Sequence, residues 1–283
     1  MKHNPYRTEK IAFSLLFLAT IVVLLPVILI IGIIVQKGWP AISWEFLTAM
    51  PEKGMREGGI FPAIVGTLFL VLGTLTFALP LGVMSAIFLV EYAKDNVLTR
   101  LVKLAIINLA GVPSVVYGLF GLGIFVMFLK FGASILAGSL TLAIMVLPII
   151  ITTTREALES VPQSFREVSL SLGVSKWQTI RYSVLPHALP GILTGIILAV
   201  SRAAGETAPI LFTVAAFYLP KLPDSIFDQV MALPYHLYVI STQVPNVDPK
   251  VRYGTALVLL LIVLSMNFVA IVLRSKFRKK KKW

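Results

Sequence analysis

Six long apolar segments decide what this chain can fold into. A bilayer core about 30 Å thick is crossed by about 20 apolar helical residues, and each segment reaches that length. The segments are too long for β-strands and lack the alternating pattern of an outer-membrane barrel. They run from about residue 11 to 35, 61 to 90, 101 to 129, 134 to 154, 188 to 213 and 253 to 273. The sequence therefore predicts an all-α integral membrane protein with six transmembrane helices.

The composition excludes the common soluble classes. Hydrophobic residues make up 57% of the 283 residues and charged residues only 13%. A soluble domain of this size cannot bury that much apolar surface, and the absence of cysteine excludes disulfides, thiolate metal sites and cysteine nucleophiles. The first segment is also open to interpretation as a cleaved signal peptide. Its length, about twice that of an ordinary signal-peptide core, argues against that alternative.

Basic residues divide unevenly between the two sides that six spans create. With a cytoplasmic N-terminus, 17 Lys and Arg lie near cytoplasmic span ends and 7 near external ones. The positive-inside rule then places both termini in the cytoplasm of a multi-pass cell-membrane protein. The net charge of +12 comes mostly from the basic residues that set the orientation in the membrane. We therefore expect membrane lipid to be a partner and expect no binding of nucleic acid. The lysine run at residues 279–282 is predicted to anchor the tail among headgroups, with a separate lipid or partner site as the alternative.

The cytoplasmic connection from about residue 155 to 186 carries its own helix signals. Pro162 suits a first helical position, Gly173 suits the left-handed residue after a helix end, and Ser175 with Gln178 forms a capping box. These signals predict a helix, a glycine turn and a second helix. Each helix has an apolar stripe at helical spacing: Phe165, Val168 and Leu172, then Trp177, Ile180 and Val184. Such a loop is built either to dock on a partner or to lie on the membrane surface.

Two ionisable residues, Arg202 and Glu206, lie deep in the fifth segment. An arginine near the bilayer centre costs about 2.5–3.5 kcal/mol, so it should face protein, water or a partner charge. The pair is either a self-neutralising structural contact or a charged gate on an anion pathway, where Thr207 adds a polar group. A carboxylate beside the arginine favours an anion that carries a proton to donate, as phosphate does and sulfate does not.

Small and polar residues in two other segments also have two interpretations, one structural and one functional. Asn108, Gly111, Ser114, Gly118 and Gly121 recur at helical spacing in the third segment, and Thr67 lies in the second. Small residues on one face usually serve close helix packing. The alternative is that Asn108, Ser114 and Thr67 line the translocation pathway. The two substantial external segments, about residues 36–60 and 214–252, are predicted to be surface loops or part of an outer gate.

No catalytic motif is visible. The chain lacks the glycine-rich loop and lysine that bind ATP phosphates, and its three histidines are scattered, so we expect a non-catalytic subunit without a cofactor of its own. Neither does the sequence show an evident inverted repeat, although a self-sufficient anion carrier or channel stays the alternative to an importer subunit.

One pattern in the cytoplasmic connection resembles the EAA loop of ATP-binding-cassette (ABC) importer permeases. The matching residues are Glu167, Gly173 six positions on, Ile180 and Leu185-Pro186, with Glu167-Val168-Ser169 in place of Glu-Ala-Ala. The resemblance implies the type I importer permease (MetI-like) architecture. It also implies that the loop docks on an ATPase subunit, with Glu167, Gly173, Phe165, Leu172, Trp177 and Ile180 as residues of the coupling loop.

Four further motifs are similar to those of the PstA family of phosphate ABC transporter permeases. They are GGIFPAIVGT at residues 58–67, PLGV at 80–83 leading to Glu91-Tyr92, GVPSVVYG at 111–118 and RAAGETAP at 202–209. The resemblance implies that the chain forms half of a translocation pore for phosphate. The implied partners are a second permease (PstC-like), an ATPase dimer (PstB-like) carrying ATP and Mg²⁺, and a phosphate-binding protein (PstS-like). Permeases for molybdate, sulfate or phosphonate stay the nearest alternatives.

Overall fold

A computed structural model describes residues 5–279 of the chain, which are almost entirely helical. The helices are α1 (Pro5–Gly38), α2 (Trp44–Thr48), α3 (Phe61–Ile87), α4 (Val97–Ala110), α5 (Ser114–Gly121), α6 (Ile135–Glu159), α7 (Gln163–Ser171), α8 (Lys176–Thr179), α9 (Leu185–Gly205), α10 (Ala208–Thr213), α11 (Leu233–Thr242) and α12 (Pro249–Lys279). Wide π-helical turns extend α3 through Phe88–Tyr92 and α5 through Leu122–Phe128, and a third, Ile180–Val184, joins α8 to α9. Short strands β1 (Pro51–Glu52) and β2 (Glu57–Gly58) pair antiparallel.

The predicted membrane class is confirmed. Among residues 5–279, five helices are long and apolar enough to cross a bilayer, and a sixth crossing results if one bent pair is counted as a single span. The orientation of the termini stays a prediction. Its residues Lys2 and Lys280 to Lys282, like His3, lie outside the described part of the chain.

The third apolar segment is not the single straight helix that its length predicts. Val97–Ala110 and Ser114–Phe128 meet at an angle of 103°. The bend falls at Gly111-Val112-Pro113, where the proline ring fixes φ at −59° and removes a backbone donor. A residue before proline also avoids helical geometry, so the helix ends before this point. The small and polar positions from Asn108 to Gly121 therefore do not form one continuous stripe.

The centre of the bundle is formed by α3, α6 and α9. Helix α6 packs along α3 on one side and α9 on the other, and α12 covers the outer side of α9. Small residues allow the close approach, since a Cβ added at Gly82 of α3 would lie 2.6 Å from the Ile150 side chain of α6. Helix α1 lies outside this bundle, packs chiefly on α12 and is exposed along almost its whole length.

The segment after α10, which is predicted to be external, is more ordered than a plain surface loop. Pro234 does not interrupt its helix, because the proline lies in the first turn of α11, where a missing N–H costs no helical hydrogen bond. Leu233 and His236 of α11 are buried. Among the described residues the His236 Nδ1 has no hydrogen-bond partner, and burial lowers the pKa of His236 to about 4.

Candidate functional site

The fifth apolar segment is interrupted where its two charged residues lie. Helix α9 ends at Gly205, and Glu206 is extended, with φ of −76° and ψ of 134°. Helix α10 begins two residues later, with Pro209 in its first turn. A Cβ added at Gly205 would meet no atom within 4 Å, so this turn of the backbone borders open space. Glycine, followed by a proline that favours a new helix start, accounts for the break.

Arg202 and Glu206 form an ion pair across this break. The Arg202 Nε donates to Glu206 Oε1 at 3.3 Å, and the two side chains are 30% and 18% exposed. The sequence predicted a pair on one helical face, whereas Glu206 follows the last helical residue and turns back toward Arg202. Within residues 5–279 the other guanidinium N–H groups have no protein acceptor, and the Thr207 hydroxyl makes no hydrogen bond. A partly exposed cation with donors to spare can attract an oxyanion.

Helix α5 brings the bent third segment against this broken fifth one. At Gly118 an added Cβ would lie 2.7 Å from the Phe212 ring and 3.0 Å from the Pro209 Cα. A Cβ at Gly121 would overlap the Thr141 hydroxyl of α6. These two glycines therefore serve the close packing that was the ordinary interpretation of their spacing.

The other pathway candidates lie apart from the ion pair. Asn108 is exposed in the last turn of α4, and Ser114 begins α5 half-buried. Neither side chain hydrogen-bonds to Arg202 or Glu206. Thr67 is only 2% exposed, donates to the Ala63 carbonyl and accepts from the Leu233 N–H, so in this conformation it has almost no surface to offer a solute. A pathway role for these three residues stays a prediction.

The cytoplasmic connection forms the helix, glycine turn and helix that its signals predict. Gly173 has φ of +76°, a left-handed conformation that glycine adopts without strain. Ser175 Oγ accepts from the Gln178 N–H at 3.3 Å, and Gln178 Oε1 accepts from the Ser175 N–H at 2.8 Å. Pro162 differs slightly from expectation, since it precedes α7 as its capping residue.

The apolar stripes of this connection divide between surface and core. Leu172 is 78% exposed and Trp177 is 42% exposed, and Val168 and Glu167 are also exposed. Ile180 is fully buried and offers no surface to a partner in this conformation, so its part in coupling stays a prediction. The reason is that α8 is a single turn running into α9, so its inner side packs on the end of α6. Phe165 is half-buried, with its ring 4.6 Å from the His187 ring.

Two polar contacts were not foreseen from the sequence. Arg166 of α7 forms a buried ion pair with Glu91, at 2.7 Å between Nη2 and Oε1. Ser201, next to Arg202, donates to Asn267 Oδ1 of α12 at 2.7 Å. For the Glu91–Arg166 pair, the only signal in the sequence was that both residues are charged and adjoin two of the motifs. Because they lie 75 positions apart, the sequence did not indicate that they pair.

Comparison with known proteins shows the family of this chain. The model of the family described as "Binding-protein-dependent transport system inner membrane component" matches residues 78–283. A Bacillus subtilis relative, the probable ABC transporter permease protein YqgI, is 32% identical over 98% of both chains. The phosphate transport system permease protein PstA 1 of Mycobacterium tuberculosis (strain CDC 1551 / Oshkosh) is 33% identical over 94% of this chain and 88% of its own.

A solved structure has the same fold. It belongs to a bacterial ABC transporter involved in the import of the acidic polysaccharide alginate, and it covers 96% of this chain and 99% of its own with a TM-score of 0.66 at 14% identity. The family match and the two relatives extend over most of the sequence, and the apolar helices place the protein in the plasma membrane. The chain therefore belongs to the inner membrane components of binding-protein-dependent transport systems and is related to the PstA permeases.

Proposed function

We propose that this chain is a transmembrane subunit of an ATP-driven importer of inorganic phosphate and forms half of the translocation pathway. The observation that carries the proposal is the Arg202–Glu206 pair at the break between α9 and α10. The names of the PstA relatives support phosphate as the solute. A self-sufficient carrier is disfavoured by the family, which consists of components of larger systems.

The complete transporter would contain a second permease (PstC-like), two ATPase subunits (PstB-like) and a phosphate-binding protein (PstS-like). ATP and Mg²⁺ would be bound by the ATPase subunits, and this chain would carry no catalytic group of its own. The exposed surface of α7 and α8, with Glu167, Leu172 and Trp177, would lie against the ATPase. Apolar side chains exposed outside the spans favour such a partner.

The Arg202–Glu206 pair offers chemistry suited to phosphate. The spare Arg202 donors can bind the anionic oxygens, and Glu206 can accept a hydrogen bond from a protonated phosphate oxygen. Phosphate and arsenate carry such a proton near neutral pH, whereas sulfate does not. The pair would therefore add a second discrimination to that of the soluble binding protein.

The test is uptake of labelled phosphate into proteoliposomes that hold the assembled transporter, with arsenate, sulfate and molybdate as competitors. We expect ATP-dependent uptake that vanadate abolishes and that arsenate alone inhibits strongly. Uptake that survives vanadate, or that proceeds without an ATPase subunit, would support a self-sufficient carrier. Strong inhibition by sulfate or molybdate instead of arsenate would assign the transporter to another oxyanion.

A further inference from the structure

Arg166 and Glu91 form a closely fitted ion pair at the coupling end of the bundle. Arg166 Nη2 and Nε donate to Glu91 Oε1 at 2.7 and 3.0 Å, and the side chains are 11% and 6% exposed. Glu91 lies in the π-helical turn that extends α3, and Arg166 lies in the middle of α7. The pair therefore connects a transmembrane helix to a helix of the cytoplasmic connection.

The same guanidinium also binds the end of α6. Arg166 Nη1 donates to the Val161 carbonyl at 2.9 Å, and Nη2 donates to the Leu158 carbonyl at 3.0 Å. The Leu158 carbonyl also accepts from the Val161 N–H at 3.3 Å, so the guanidinium adds a second bond to an acceptor that the helix end already uses. Only the planar fork of arginine can reach a carboxylate and two carbonyls together. One side chain thus joins α3, α6 and α7.

Helix α7 depends on this joint because its apolar side chains do little to hold it. None of its nine residues is fully buried, and Val168 and Leu170 are 62% and 49% exposed. Its Ser169 hydroxyl contacts that of Ser183, in the turn before α9, at 2.6 Å, and the Phe165 ring contacts the His187 ring of α9. Toward α3 and α6 the hydrogen bonds of its side chains all come from Arg166, at least among residues 5–279.

The neighbours Arg166 and Glu167 of α7 point in different directions, about 100° apart around the helix. Arg166 reaches inward to Glu91, while Glu167 is exposed on the surface that would meet the ATPase. Helix α3 then runs from Glu91 back to Thr67, 24 residues away, which corresponds to about 36 Å of helix. At that far end Thr67 binds the first turn of α11. A displacement of α7 can therefore reach α11 through two polar contacts and one helix: the Arg166–Glu91 pair, α3, and the Thr67–Leu233 hydrogen bond.

We propose that Glu91 and Arg166 are positioning residues that transmit movement of α7 to α3 and α6, so that ATP hydrolysis on a docked ATPase drives transport. The inference rests on the proposed importer function, which supplies the ATPase. A buried ion pair is by itself weak evidence for stability, because apolar residues of similar volume often hold a fold equally well. Its directional bonds, in contrast, keep α7 in one register against two transmembrane helices.

The decisive variant replaces both charges, Glu91→Leu with Arg166→Met, because this change leaves no unpaired buried charge. A second variant exchanges them, Glu91→Arg with Arg166→Glu. Each is assembled with its partner subunits in proteoliposomes. The quantities measured are the amount of bound ATPase subunit, the ATP hydrolysed and the phosphate taken up. The control is Glu159→Gln, since Glu159 is 52% exposed and, within residues 5–279, pairs only with Arg155 of its own helix, at 3.7 Å.

We expect the apolar double variant to bind the ATPase subunit normally and to hydrolyse at least tenfold more ATP for each phosphate transported. The exchanged pair should recover part of the coupling, and Glu159→Gln should match the unaltered protein. An unchanged ratio in the double variant would overturn the proposal, as would uptake that falls only in proportion to lost ATPase binding. Failure of the unaltered complex to take up phosphate with ATP would instead refute the proposed function.

Discussion

The hydroxyl of Thr67 accepts a hydrogen bond of 2.8 Å from the backbone N–H of Leu233, and this contact joins α3 to helix α11. Both residues are buried. Because α11 begins with a proline in its first turn and no side-chain cap, the Thr67 hydroxyl satisfies one of the unpaired donors at that helix start. A residue in the second transmembrane segment thereby fixes the entry of a helix 166 positions later.

Replacing Thr67 with valine should destabilise the protein, because the Leu233 N–H would stay buried without an acceptor. The expected loss is about 1–3 kcal/mol, measured as a lower thermal unfolding midpoint in detergent. Thr67→Ser should retain most of the stability. Thr76→Val on the same helix is the control, since Thr76 is exposed and, as far as the structure describes the chain, bonds only to the Leu72 carbonyl of its own helix. Altered uptake with an unchanged midpoint would favour the pathway role that the sequence suggested.

The Glu206→Gln variant should show whether the Arg202–Glu206 pair acts as a gate for the anion or only as a structural contact. Glu206→Gln keeps the shape but removes the carboxylate that can accept a proton-bearing oxyanion, so we expect phosphate uptake to fall about tenfold and its preference over sulfate to narrow. Competition assays with arsenate and sulfate measure this. Asp224→Asn in the external segment is the matched carboxylate control. Unchanged uptake and selectivity in Glu206→Gln would eliminate the proton-recognition hypothesis.

Reversing the charge of Glu167 should weaken docking of the ATPase without unfolding the chain. Glu167 is exposed and pairs with no cation in the described part of the chain, so Glu167→Lys should leave the unfolding midpoint unchanged. We expect the ATPase subunit recovered in co-purification to fall at least fivefold, about 1 kcal/mol of binding. Glu52→Lys, on the external β-ribbon, should have no effect. Normal ATPase recovery and uptake in Glu167→Lys would contradict the docking assignment.

Alanine substitutions at three glycines should differ sharply in their effect. At Gly118 and Gly121 an added methyl group meets Phe212 or Thr141, and such overpacking costs about 1–3 kcal/mol. At Gly123 nothing lies within 4 Å, so Gly123→Ala should be neutral or slightly stabilising. Unfolding midpoints of the three variants test this order. A loss at Gly123 equal to that at Gly118 would contradict the packing of α5 on α10.

Acid should destabilise the protein through His236. Burial lowers the pKa of His236 to about 4 from an ordinary 6.5, so the folded chain keeps the ring neutral while the unfolded chain takes up a proton. Stability is therefore highest above pH 6.5 and falls by up to about 1.4 kcal/mol for each pH unit below it, until about pH 4. Unfolding midpoints between pH 8 and 5 measure the slope, which His236→Gln should flatten. An equal slope in both proteins would assign it to other groups.

Local signals predicted the cytoplasmic connection well, because they act over a few residues. The Ser175–Gln178 capping box and the left-handed Gly173 each depend only on neighbouring backbone. The burial of Ile180 was not predictable from its stripe, because the stripe does not reveal that α8 continues into α9.

Long apolar runs gave the class of fold but not the breaks within it. Length alone made residues 101–129 one span, whereas Pro113 divides it into two helices at a right angle. Contacts between positions far apart in the sequence could not be predicted from the periodicity of apolar residues, which describes one helix at a time. The Glu91–Arg166 pair, 75 residues apart, and the Thr67–Leu233 bond exist only once α3, α7 and α11 are packed.

The position of α1 has a consequence for how the protein is made. Helix α1 precedes the central helices α3, α6 and α9 in the chain, yet it packs chiefly on α12, which follows them. The central helices can therefore meet during translation before α12 exists, and α1 has no packing partner of comparable extent until α12 has been made. The strongly apolar sequence of α1, with a mean hydropathy of 3.2 over its most apolar stretch, makes that wait as a solitary helix possible.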